Sequence, residues 1–254
     1  MIEKAYIHPW DKEMSEKVLS NPVVTSFLDT VFKENLDAVN SYIYSVSGIC
    51  MEKNHPVVQY LKEGVRMFGL SSIPPVYITR NYRYDVNCIG YEEPVITISH
   101  QLLERNNKEI LRGRMIAAAA SIGAGHHKLS FLIWIMENFG SVIPIPFATT
   151  AIRGILYEWY RAQFYTLDRA FFLAVRDAKL ALKNILYGEM PFDMLENYKF
   201  GEHDTYLEQV KEFYKVTNIA EGISGISGIF QCEIWLPARY HELWKYCGEV
   251  ERWT

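Results

Sequence analysis

Pro74-Pro75-Val76-Tyr77-Ile78-Thr79, then Asn87-Cys88-Ile89-Gly90-Tyr91, then Val95-Ile96-Thr97-Ile98-Ser99 form the stretch on which the fold turns. The first and last segments are rich in β-branched residues, and turn-forming residues separate all three, so they read as short strands of one small sheet. Upstream, residues 10–70 read mainly as helices, with Phe27, Leu28, Val31 and Phe32 at helical spacing. Downstream, Asn107 is the expected N-cap of a helix that begins Lys108-Glu109-Ile110-Leu111 and continues through small residues to Gly125. Another helix is expected from Leu129 to Glu137. Beyond a loop holding Pro144 and Pro146, Ala148 to Leu186 is helix-compatible, with Asp177 as a second N-cap inside it. Asp204 to Lys215 reads as an amphipathic helix, and Pro237 opens a last one running to Trp253. The repeat Gly222-Ile-Ser-Gly225-Ile-Ser-Gly228 reads as close helix packing or a linker rather than a ligand loop.

No long repeat or linker divides the chain, so residues 1–254 are expected to form one helix-rich α+β domain. Its parts are an N-terminal helical region 1–70, a central region 75–190 holding the sheet, and C-terminal helices over 203–254. The 254 residues carry a net charge of −4 with 49% hydrophobic residues. That balance excludes an intrinsically disordered chain and lacks the clustered basic footprint of a nucleic-acid binder. Aromatic residues reach 14%, so what the rings fill matters. The stretch Leu129 to Phe147 is the most apolar, but Glu137, Asn138, Pro144 and Pro146 interrupt it, and no transmembrane segment is expected. Cys50, Cys88, Cys232 and Cys247 form no C-x-x-C pair. Reduced thiols in a cytoplasmic protein without a signal peptide are the expectation.

Phosphate-binding glycine loops, G-x-S-x-G and H-E-x-x-H are all absent. Adjacent helical residues point about 100° apart, so His126-His127 cannot chelate one metal together; surface or helix-end positions are expected for them. Arg80-Asn81-Tyr82-Arg83-Tyr84 interleaves basic and aromatic residues, and in this acidic chain it reads as a solvated loop.

The order of landmarks adds more. Pro74 to Thr79, Asn87, Gly90, Pro94 to Ser99 and Leu102-Leu103-Glu104 together resemble the HtpX-like family of gluzincin zinc metallopeptidases, in its soluble prokaryotic branch. His8-Pro9-Trp10-Asp11 resembles that family's start, and Asp168-Arg169-Ala170 followed by Asp177 resembles its third-ligand helix and the helix after it. Leu207-Glu208-Gln209 and Pro237 to Trp244 resemble its C-terminal pieces, so the likeness spans nearly the whole chain.

The resemblance implies a gluzincin-like fold, but it fails at the chemistry. Aligning the family's active helix on Leu111-Arg112 and Gly125-His126 puts Ala117 and Ser121 at the two zinc-binding histidines and Ala118 at the general base. The third ligand, four residues before Asp168, falls on Phe164. Two imidazoles four residues apart converge on one helix face, a carboxylate completes the zinc site, and the intervening glutamate activates the metal-bound water. Ala117, Ala118, Ser121 and Phe164 supply none of these functions. The expectation is a pseudo-peptidase without zinc, its former site refilled by Phe164 against Ala117 and Ser121. Asp168, which the resemblance implies would orient a zinc-binding histidine, is expected to pair instead with Arg114, Arg161 or His126. Substrate in active relatives lies along the edge strand, which implies a peptide- or protein-binding edge here at Asn87, Cys88, Ile89, Val95, Ile96 and Thr97. Two alternatives stand beside it: an active zinc endopeptidase with a non-standard site using His126 with Asp168 or Glu158, and a structural subunit of an assembly.

Overall fold

A computed structural model describes residues 4–26, 38–80, 85–104, 107–139, 148–189, 208–212 and 236–251. Within them lie the helices α1 (Pro9–Leu19), α2 (Ala38–Ser45), α3 (Pro56–Phe68), α4 (His100–Glu104), α5 (Lys108–Gly123), α6 (His126–Phe139), α7 (Ala148–Val175), α8 (Ala178–Glu189) and α9 (Leu236–Glu251). The strands are β1 (Ile49–Cys50), β2 (Val76–Thr79), β3 (Val86–Ile89) and β4 (Val95–Ser99). The fold is α+β, helix-rich around a small mixed sheet. Phe27 to Phe32, Tyr82 to Tyr84, the Pro144/Pro146 loop, the glycine repeat, Cys232 and Trp253 lie outside the described residues. So does most of the stretch from Asp204 to Lys215, of which 208–212 is helical.

Local chemistry sets the helix ends. Asn107 Oδ1 accepts from the N–H groups of Glu109 and Ile110, as its N-cap position predicts. Asp177 Oδ1 accepts from Leu180 N–H, and Arg176 (φ 56°) turns the chain out of α7 immediately before it. Helices α1 and α3 both open with His-Pro: His8 and His55 cap through Nδ1 to the N–H two residues on, and proline takes the first turn, where its missing N–H costs nothing.

The sheet order is β1-β2-β4-β3, with β2 and β4 parallel and the other pairs antiparallel. Three of the strands fall where the sequence places them. The third strand stops at Ile89 rather than Tyr91, because Gly90 has φ 141° and turns the chain; a Cβ there would lie 2.7 Å from Glu93 O. β1 has only two residues, too short for any period to mark it.

Side-chain alternation gives the sheet two covered faces. Val76, Cys88, Ile96 and Ile98 pack with Val57, Val58 and Leu61 of α3 and with Leu111, Met115, Ala118 and Ala119 of α5. Ile89 and Val95 face the other way, to Tyr42 and Ile43 of α2 and Phe131 and Ile135 of α6. A third core joins α5, α7, α8 and α9 around Phe171, Leu182, Ile185 and Tyr240. At Gly113 the helices α5 and α7 approach so closely that a Cβ would lie 2.5 Å from the Phe171 ring. Arg112 braces this arrangement: its Nε meets Glu63 of α3 at 2.9 Å, and its Nη1 donates to Ala174 O near the end of α7. Among the described residues no helix is long and apolar enough to cross a membrane.

Candidate functional site

Helix α5 carries Ala117, Ala118 and Ser121; Ala118 packs in the core under the sheet, and Ala117 in the core shared with α7, α8 and α9. Ala117, Ala118 and Ser121 are 7, 6 and 5% exposed, whereas Met115, Ile116, Ala119 and Ala120 are 0% exposed. Residual exposure thus follows one helix face, at the spacing i, i+1, i+4. Ser121 donates its hydroxyl to Ala118 O at 2.8 Å and lies in hydrogen-bonding contact with Cys88 of β3. Burial pushes the Cys88 thiol up to about 12, so it stands there as a neutral group. The face offers one committed hydroxyl, two methyl groups and a thiol.

Phe164 and Asp168 sit one turn apart on α7. Asp168 does not pair with Arg114, Arg161 or His126. Its two oxygens accept a bidentate bond from Arg239 of α9, Nε at 2.9 Å and Nη2 at 2.8 Å, with both side chains buried. The same guanidinium lies 4.7 Å from the centroid of the Phe164 ring, which also meets Tyr160 edge-on at 5.3 Å. Phe164 is half-buried and stands outside the cluster that holds Ala117. Ala117 belongs instead with Tyr6, Ala120, Ala170 and Phe171. The N-terminal Tyr6, whose hydroxyl donates to Ala120 O at 3.1 Å, is the ring that joins α5 here.

The alternative metal set does not come together. His126 lies at a helix end, one of the two positions expected for it, but is only 1% exposed, and its Nε2 lies 2.8 Å from Asp11 Oδ2. Thr166 of α7 donates to the same oxygen, and Ser15 reaches the other at 3.4 Å. Burial by itself raises the Asp11 carboxyl, but the bond from His126, its charge and the two hydroxyls outweigh that and hold it below the usual range. Glu158 is 41% exposed at its side chain and faces Lys17 at 4.0 Å, while Asp168 is taken by Arg239. Among the described residues no three His, Cys, Asp or Glu side chains form a group able to hold a metal.

No family model, curated protein or solved structure matches the chain.

The six edge residues divide by strand. Val95, Ile96 and Thr97 lie on β4, which is paired on both sides, so their backbone has no free edge to offer. Asn87, Cys88 and Ile89 lie on β3, which ends the sheet order. Ser99 N–H donates to Asp85 O at 3.2 Å, making Asp85 and Ser99 a bonded pair. Bonded pairs alternate along an antiparallel ladder, so Asn87 and Ile89 also bond to β4. The N–H and C=O groups of Val86 and Cys88 therefore point outward. The next outward donor, Gly90 N–H, is closed by His127 O at 3.3 Å. The outward edge is thus short, and it runs beside the α5 face that Cys88 touches through Ser121.

Sequence reasoning missed Arg239, Asp11 and the role of His127. The first two were quoted only as parts of landmarks. Local sequence marks neither: Asp11 is followed by Lys12 and Glu13, and Arg239 stands two residues before His241-Glu242.

Proposed function

We propose that the chain is a non-catalytic, metallopeptidase-like protein of the cytoplasm that binds an extended peptide or protein segment along the β3 edge. The observation that carries this reading is the α5 face beside that edge. Ala117, Ala118 and Ser121 stand at the positions that would bind zinc and activate water, and none can do either. The outward groups of Val86 and Cys88 need no metal to pair with a strand. Arg239 adds to this reading: its guanidinium occupies the ring face of Phe164, where the resemblance would put a ligand carboxylate.

The test uses purified untagged protein with added zinc. Stoichiometric metal, or turnover of a fluorogenic unfolded-protein substrate, would sink the reading. Binding of a fluorescein-labelled casein-derived peptide is expected by anisotropy. Val86→Pro removes one outward donor and leaves the β4 ladder intact, a substitution that edge strands tolerate. It is expected to weaken that peptide about tenfold, the equivalent of one backbone hydrogen bond at the upper end of its usual net range. Unchanged binding by a folded Val86→Pro variant would place the peptide elsewhere.

A further inference from the structure

Three contacts hold the end of the β3 edge, and all involve one turn of α6. Gly90 N–H donates to His127 O at 3.3 Å, and His127 Nε2 meets Tyr91 O at 3.1 Å. Lys128 Nζ lies 4.8 Å from the Tyr91 ring centroid. Tyr91 O accepts, so Nε2 carries the proton in the neutral ring and Nδ1 is left with its lone pair. That Nδ1 is buried and has no hydrogen-bond partner among the described residues.

A second proton must therefore go to Nδ1, creating a buried cation with no acceptor. The groups around it make this worse. His126 and Lys128 on α6 both oppose a second positive charge, and Tyr91 faces the ring with its carbonyl. Asp11 of α1 is spent on His126 and Thr166, while Glu92 and Glu93 are exposed at the hairpin turn. Consistent with this, burial pushes the His127 imidazole down to about 4. The ring accepts a proton only by leaving its place.

We propose that His127 is an acid-released catch on the β3 edge: protonation expels its ring from Tyr91 C=O and so loosens the backbone bond from Gly90 N–H to His127 O that closes the edge to an incoming strand. The biological use of the catch rests on the peptide-pairing reading above, but its operation is measurable without any peptide.

The experiment is native-state amide hydrogen exchange on the full chain at pH 7.5 and pH 5.0, corrected for intrinsic rates. A ring that titrates near 6.5 when free and near 4 when seated shifts the opening equilibrium about thirty-fold at pH 5. Protection at Gly90 is expected to fall by about that factor while staying below that of Met115 and Ala119 in α5, which are fully buried and exchange only when the whole chain unfolds. His127→Gln retains a neutral donor but cannot titrate, and its Gly90 protection is expected to be flat across the same range. His127→Asn serves the same purpose if the glutamine variant does not fold. Three results overturn the catch: flat protection in the wild type, an equal fall in the glutamine variant, and Gly90 protection no lower than that of Met115 and Ala119, which would mean that the edge opens only with the whole chain. A Gly90 response without binding of the casein peptide would keep the catch and remove the peptide reading.

Discussion

Replacing Arg239 with methionine lowers the free energy of unfolding by about 3–5 kcal/mol, the largest single-site effect expected in this chain. Methionine keeps most of the apolar stem, so the loss comes from the charge. Asp168 is 3% exposed and Arg239 6% exposed, and the two share a bidentate bond. Without the guanidinium, a buried carboxylate loses both partners and Phe164 loses the cation on its face. The paired change Asp168→Leu with Arg239→Met removes both charges and is expected to recover most of that loss, because an uncompensated charge costs far more than a pair replaced by apolar groups. Urea denaturation of the three variants checks this. A loss under about 1 kcal/mol for Arg239→Met would mean that the pair is solvated and carries little of the α7–α9 contact.

Stability falls as pH is lowered from about 6.5 to about 4, by at most about 3 kcal/mol from His127. The folded imidazole titrates near 4 and the unfolded one near 6.5, so between those values the unfolded chain binds more protons and acid favours it. Above 6.5 both states are neutral and the contribution is constant. Below that window Glu242 takes over. The bond from His8 holds its carboxyl down to about 2 despite partial burial, and Lys245 assists, so its stabilisation is full above the ordinary carboxylate range and is lost as pH falls towards 2. Asp11, also held low, acts in the same direction. Unfolding free energies measured every half pH unit are expected to slope downward from 6.5, with His127→Gln flattening the segment between 6.5 and 4. A wild-type curve already flat in that segment would show that His127 is hydrated in the folded protein.

What the sequence revealed and what it hid divide along the chain distance of each interaction. Asn107 and Asp177 were legible as caps because each bonds N–H groups two or three residues away. Val76 to Thr79 and Val95 to Ser99 were legible because β-branched runs bounded by turns report on themselves. Arg239 meets Asp168 across 71 residues and His126 meets Asp11 across 115, and no local pattern encodes such pairs. Of the two positions expected for His126 and His127, surface or helix end, the second holds, since they open α6, but both are buried there. Leu129, Phe131, Leu132, Ile133 and Ile135 are all buried, so α6 is covered on several sides and its first turn is buried with it. Phe164 lies in the register that the resemblance implies, whereas Tyr6, whose hydroxyl bonds Ala120 O, reaches α5 from a segment outside it.

Among the described residues the cysteines stand at very different depths: Cys50 is exposed, while Cys88 and Cys247 are buried. A thiol-specific reagent therefore meets Cys50 at once. Cys88, protonated and pressed against Ser121, reacts only in the moments when β3 lifts from α5. In a Cys50→Ser background its labelling rate becomes a stopwatch for that strand. Mass spectrometry of the modified peptide would read how often the edge opens, and whether an occupied edge keeps the clock from running.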